Sequence, residues 1–306
     1  MIEWIRSLNE ASVPFLVWLQ SFASDGLTSF FSLMSWLGVE YFYILFFPFL
    51  YWCVSKRWGI LTALSLIFSL YVGEMIKWAF KLDRPPSPPV VRLWEETSPG
   101  FVSTHAAPAA GVWGMMMVAV RRWQWALPLF LLGLSVSLSR LYLGVHYPAD
   151  VIGGWIVGLI GLYLVLKLAE PWGERLARWP ASRQLLAALL LIVALLAIFP
   201  SNWEGRRPAE SGVLTTAVFF GLLLGLIWDH HRLHFSVRGP WTQRLLRYVV
   251  GLVLVLAAFL GLDILFEPFS QGNYLTAQAF RFVRYAAVGF VVPGLGPWLF
   301  QRLRLA

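Results

Sequence analysis

"SRLYLGVHYPAD", residues 139–150, interrupts two apolar runs at 125–143 and 148–168. Each run is long enough to cross about 30 Å of hydrocarbon, which takes about 17 to 25 helical residues. The insert puts Arg140, His146 and Asp150 where hydrocarbon should continue, and ionisable residues at such a place are costly unless they do something. The reading of this stretch decides between a chain of spanning helices with chemistry at their ends and an ordinary apolar core.

Composition settles the first half of that choice. Of 306 residues, 58% are hydrophobic and 13% charged, with a mean hydropathy of +0.67, whereas a soluble domain carries about 25% charged residues. The apolar runs are continuous rather than alternating, which predicts helices and not a barrel. The expected fold is an all-α membrane protein, a polytopic helical bundle. It has about nine transmembrane helices, near 29–53, 59–80, 104–120, 125–143, 148–168, 184–200, 212–229, 245–266 and 282–301. Residues 1–28 mix Glu3, Arg6, Glu10 and Asp25 with Trp and Phe and predict an interfacial N-terminal segment rather than a signal peptide. The polar link 170–183 divides a catalytic helical core, 29–168, from C-terminal transmembrane helices, 169–306. The single Cys53 can form no intrachain disulfide.

The net charge of +8 follows topology and gives no reason to expect a nucleic-acid partner. Lys56 and Arg57, Arg121 and Arg122, Lys167 to Arg183, Arg232 to Arg247, and Arg302 and Arg304 all fall on one side of nine alternating helices. The positive-inside rule makes that side cytoplasmic. The loops after the second and fourth helices then lie on the non-cytoplasmic face, in a bacterial inner membrane or in the endoplasmic reticulum of a eukaryote.

Those loops hold three groups of polar residues. Lys77 and Arg84 are seven residues apart, near one face of a helix that Pro85 should end close to Arg84. Ser103 and Thr104 are natural N-caps for a helix opened by His105, and a helix start with free N–H groups favours an anion. Asp150 lies one helical turn beyond His146 and can fix its tautomer, leaving the other ring nitrogen as a nucleophile. Each group alone has a plainer reading: snorkelling cations, a capping histidine, an Asp150 paired with Arg140. Together, on one face, they supply three cations, two histidines and a carboxylate. That is a set for phosphoryl transfer, without the acidic cluster that would hold catalytic metal, so no metal and no cofactor is expected. "DHHRLH" at 229–234 reads as a solvated basic loop rather than a metal site.

The spacings K-x6-RP (Lys77 to Pro85), S-x-H (Ser103 to His105) and SR-x5-H-x3-D (Ser139 to Asp150) resemble the three signatures of the type 2 phosphatidic acid phosphatase superfamily. Val102 and Thr104 stand where that family usually has Pro and Gly. The Ser-Thr-His core and the run 84–106 are most similar to the sphingosine-1-phosphate phosphatases. The resemblance implies that Lys77, Arg84, Ser103, Thr104 and Arg140 bind the substrate phosphate. It further implies that His146 attacks phosphorus, that Asp150 orients it, and that His105 protonates the leaving group. The implied substrate is a lipid phosphate monoester drawn from the membrane leaflet, sphingosine-1-phosphate-like or related. Polyprenyl diphosphate or phosphatidate is the alternative within the superfamily, and transport the alternative outside it.

Overall fold

A computed structural model of the chain describes residues 1–269 and 273–305, so 270–272 and 306 of the expected C-terminal segment lie outside the described residues. Among those described, all regular structure is helical. In chain order the helices are α1 (Ile2–Gln20), α2 (Asp25–Trp36), α3 (Glu40–Val54), α4 (Lys56–Phe80), α5 (Ala106–Val120), α6 (Trp123–Tyr142), α7 (Pro148–Ala177), α8 (Ala181–Ile198), α9 (Glu210–Leu233), α10 (Trp241–Phe269) and α11 (Tyr274–Arg302).

Seven of the described helices, α4 and α6 to α11, are long and apolar enough to cross a membrane, and the bent pair α2 and α3 makes an eighth if it counts as one span. The expected ninth, 104–120, is the 15-residue α5. At 1.5 Å per residue it rises only about 22 Å. Its start two residues later than expected has a structural cause. Residues 101–105 run in non-helical backbone, with the Ser103 N–H donating to the Asp150 carbonyl at 2.9 Å. Ser103 Oγ accepts the Ala106 N–H at 3.3 Å and caps α5. Non-helical backbone at membrane depth is tolerated where protein covers it.

The end of α4 also departs from expectation. The helix stops at Phe80, four residues before Arg84, because Lys81 turns left-handed (φ 50°) while its N–H still reaches the Lys77 carbonyl at 2.9 Å, a left-handed C-terminal cap. Arg84 therefore lies on the following loop, and no shared helix face aligns it with Lys77.

The chain divides into two compact units, Met1–Tyr43 with Leu61–Leu166 and Ile44–Ile60 with Lys167–Ala306. Residues 1–28 thus belong to the first unit. Leu16 of α1 is fully buried with Val90, Ala106, Leu141, Tyr147 and Val151, while the exposed face of α1 carries Trp4, Phe15 and Trp18. Within the same unit α7 approaches the entry to α5 so closely that a Cβ on Gly154 would lie 2.6 Å from the Ser103 carbonyl. Small residues at such a crossing let backbones meet.

In the second unit α9 and α11 pack together around Ala217, Tyr285, Val288 and Val291, and Trp52, Phe235 and Phe300 join the same core. The stretch 229–234 is not the solvated loop expected: Asp229 is buried, salt-bridged to Lys56, and accepts the Phe235 N–H at 2.9 Å, leaving His230, Arg232 and His234 exposed. A buried carboxylate needs such partners.

Candidate active site

Four helix ends meet in the first unit: the C-termini of α4 and α6 and the N-termini of α5 and α7. The turn between α6 and α7 is set by Gly144 (φ 71°) and by Pro148 at the first position of α7, a left-handed conformation and a helix start suited to those residues. Both the Val145 and His146 N–H groups donate back to the Arg140 carbonyl at 3.2 Å, which fixes the histidine beside the arginine that ends α6.

His146 is buried in this turn. Its Nδ1 lies 3.1 Å from Asp150 Oδ2, and the same oxygen accepts the Tyr147 N–H at 2.9 Å. Asp150 is thus held by the first turn of its own helix and bonds His146 rather than Arg140. The other ring nitrogen, Nε2, faces Arg84 Nη1 at 3.2 Å. Burial, and then the positive charges of Arg84, Lys77 and Arg140, hold the His146 imidazole well below its ordinary pKa of 6.5; both causes disfavour a charged ring.

The three cations converge, by a different route from the shared helix face expected. Lys77 Nζ donates to Thr104 Oγ1 at 3.0 Å and to Ser98 Oγ at 3.3 Å. Arg84 donates to Ser98 Oγ at 3.1 Å and to the Ser98 and Val145 carbonyls at 2.8 Å. Ser98 therefore links the two cations that α4 does not align. Arg140 is fully buried, donates to Ser35 Oγ, and lies over the Trp94 ring at 5.7 Å. His105 abuts the bend between α2 and α3, where a Cβ on Gly38 would meet its Cγ at 3.1 Å. His105 Nε2 and Arg140 Nε are buried without a hydrogen-bond partner, and buried polar atoms of that kind need an explanation.

Two models of the same superfamily match most of the chain, "PAP2 superfamily" over residues 58–174 and "PAP2 superfamily phosphatase, transmembrane extension" over 213–306. The chain belongs to the PAP2 superfamily. It is an integral membrane lipid phosphatase. Sphingosine-1-phosphate phosphatase 1 of Rattus norvegicus is 25% identical over 87% of this chain and 70% of that protein. "Probable sphingosine-1-phosphate phosphatase" of Dictyostelium discoideum is 34% identical over 72% of this chain and 58% of that protein. A crystal structure of a transmembrane PAP2 type phosphatidylglycerolphosphate phosphatase from Bacillus subtilis, 23% identical, aligns with a TM-score of 0.47 over 55% of this chain and 87% of the other.

Every site residue expected from the sequence, namely Lys77, Arg84, Ser103, Thr104, His105, Arg140, His146 and Asp150, lies in the first unit. Glu74, one turn before Lys77 in the sequence and readable there as that lysine's partner, pairs with it at 3.5 Å. A further carboxylate was missed: Glu96 bridges Arg84 and Arg140. Ser35, Gly38, Trp94 and Ser98 were also missed. Only Glu96 gave a signal, as one of two adjacent glutamates, Glu95 and Glu96, in a charge-poor chain.

Proposed function

We propose that this PAP2 protein hydrolyses a lipid phosphate monoester, sphingosine-1-phosphate-like, through a phosphohistidine at His146, with its active site on the non-cytoplasmic face. The observation that carries the reading is the row Asp150 Oδ2, His146 Nδ1, His146 Nε2, Arg84 Nη1, with contacts of 3.1 and 3.2 Å. Asp150 holds the proton on Nδ1, so the lone pair of Nε2 points at the guanidinium where a phosphate would be bound.

In the first step Nε2 attacks phosphorus, an N–P bond forms and the P–O bond to the lipid breaks, and His105 gives a proton to the departing alkoxide. Water then attacks phosphorus, the N–P bond breaks and His105 takes back a proton. Lys77, Arg84 and Arg140, with Ser103, Thr104 and the N–H groups at the start of α5, hold the charge that builds on the phosphoryl oxygens. The lipid chain stays in the leaflet beside the apolar helices. The relatives named for sphingosine-1-phosphate support that substrate class.

A phosphate-release panel on the purified chain tests it, using sphingosine-1-phosphate, phosphatidate, lysophosphatidate, undecaprenyl diphosphate and glucose-6-phosphate, each with and without EDTA. The expected result is highest kcat/KM on the sphingoid phosphate and full activity in EDTA. A preference for the diphosphate would replace the substrate assignment, and loss of turnover in EDTA restored by a divalent ion would contradict the metal-free mechanism.

A further inference from the structure

The two arginines that would clamp phosphate are bridged by a side chain of the protein itself. Glu96 Oε2 accepts from Arg84 Nη2 at 3.2 Å, and Glu96 Oε1 accepts from Arg140 Nη2. Two oxygens on one centre, each facing a different guanidinium, reproduce two of the oxygens of a phosphoryl group. Ser98, two residues on, bonds both Lys77 and Arg84, so the segment 96–98 contacts all three cations.

We infer that Glu96 is a displaceable internal counter-ion, occupying the phosphate cradle until the substrate's phosphate takes its place. The inference rests on the proposed function and adds how the site is gated. Charge supports exchange rather than joint occupancy. Lys77, Arg84 and Arg140 pair with Glu74 and Glu96, three positive charges against two negative. A phosphate dianion added to that set would leave one uncompensated negative charge in a buried site, which low dielectric penalises heavily. Withdrawal of Glu96 removes that excess. Exposure supports a way out: the Glu96 side chain is 18% exposed, whereas those of Arg84 and Arg140 are 5% and 0% exposed. The cations are fixed and the glutamate borders solvent, on a loop without regular structure. Trp94, which covers Arg140, is on the same loop.

An internal competitor lowers apparent affinity by the fraction of molecules it blocks. Glu96→Gln keeps the shape of the side chain and removes its charge, so the Ki of inorganic phosphate as a competitive inhibitor should fall by about tenfold if the cradle is nine-tenths occupied, and the KM for lipid phosphate should fall with it. A Glu96 that only orients the two arginines would behave in the opposite way. An unchanged or higher Ki in the Gln variant overturns the proposal. A measurement on the unaltered chain guards against a variant that does not fold. Hydrogen exchange at residues 95–98 should quicken when phosphate saturates the site, and slower or unchanged exchange overturns the proposal. If inorganic phosphate does not compete in the unaltered chain at all, the proposed function itself fails, which separates the two outcomes.

Discussion

The roles of individual residues differ enough to be told apart by substitution. His146→Ala removes the atom proposed to attack phosphorus and should reduce turnover to background. Asp150→Asn keeps a hydrogen-bonding group but favours the wrong tautomer, and should cost about 10²- to 10⁴-fold in kcat by analogy with triad carboxylates. The acid limb of activity follows from the lowered His146 pKa. Burial and the neighbouring cations favour the neutral ring, so the free protein keeps the His146 ring unprotonated as pH falls through 6.5. The limb of kcat/KM assigned to His146, read against a substrate with no titration in that range, should therefore lie below pH 6.5. A limb at or above 6.5 would mean that the ring is not held neutral.

At the scale of single elements, the sequence made legible what chemistry fixes and left obscure what packing fixes. The three motifs could be read because the proposed phosphoryl transfer would need those residue types at helix ends. Their spacing then survives errors in the helix boundaries. Arg84 shows this: the helix expected to carry it ends at Phe80, yet Arg84 still reaches the cradle through Ser98 and the Val145 carbonyl. Ser35 and Gly38 could not be read, because they lie in an apolar stretch and reach the site only through the 57° bend between α2 and α3. The role of α1 was hidden for the same reason. Gln20 at its last position donates to the Val91 and Tyr142 carbonyls at 2.7 and 2.9 Å and accepts the Val91 N–H at 2.9 Å. It ties the loop that carries Arg84 to the end of α6. Gln20→Ala removes all three bonds and should cost about 1 to 3 kcal/mol of stability, at about 1 kcal/mol or less for each partly exposed bond. It should also lower kcat/KM on lipid phosphate. Unchanged Tm and kcat/KM would show that α1 only rests on the unit.

For the whole molecule, the count of crossings decides where the chemistry faces. The ends of α4 to α7 that meet at the site are opposite those bearing Lys56 and Arg57, Arg121 and Arg122, and Arg175. That arrangement supports a non-cytoplasmic active site if α5 crosses with its neighbours. Tags after Arg122 and in 230–240 should be cytoplasmic, and a tag at 90–98 should be on the other side. Protease protection of 90–98 and Arg122 from the same side would mean that the short α5 re-enters instead of crossing. The division into two units left little trace in the sequence beyond the polar link at 170–183. Residues 44–53 are as apolar as the rest of the first spanning region, and their packing around Trp52 places them with the second unit. The covalent intermediate remains the central claim, and rapid acid and alkaline quench of the full chain with phosphate-labelled substrate tests it most directly. The expected result is protein-bound label, stable to alkali and lost in acid, that accumulates in His105→Ala with p-nitrophenyl phosphate and is absent in His146→Ala. Label that persists in His146→Ala, with none in His105→Ala, would contradict it and exchange the roles of the two histidines.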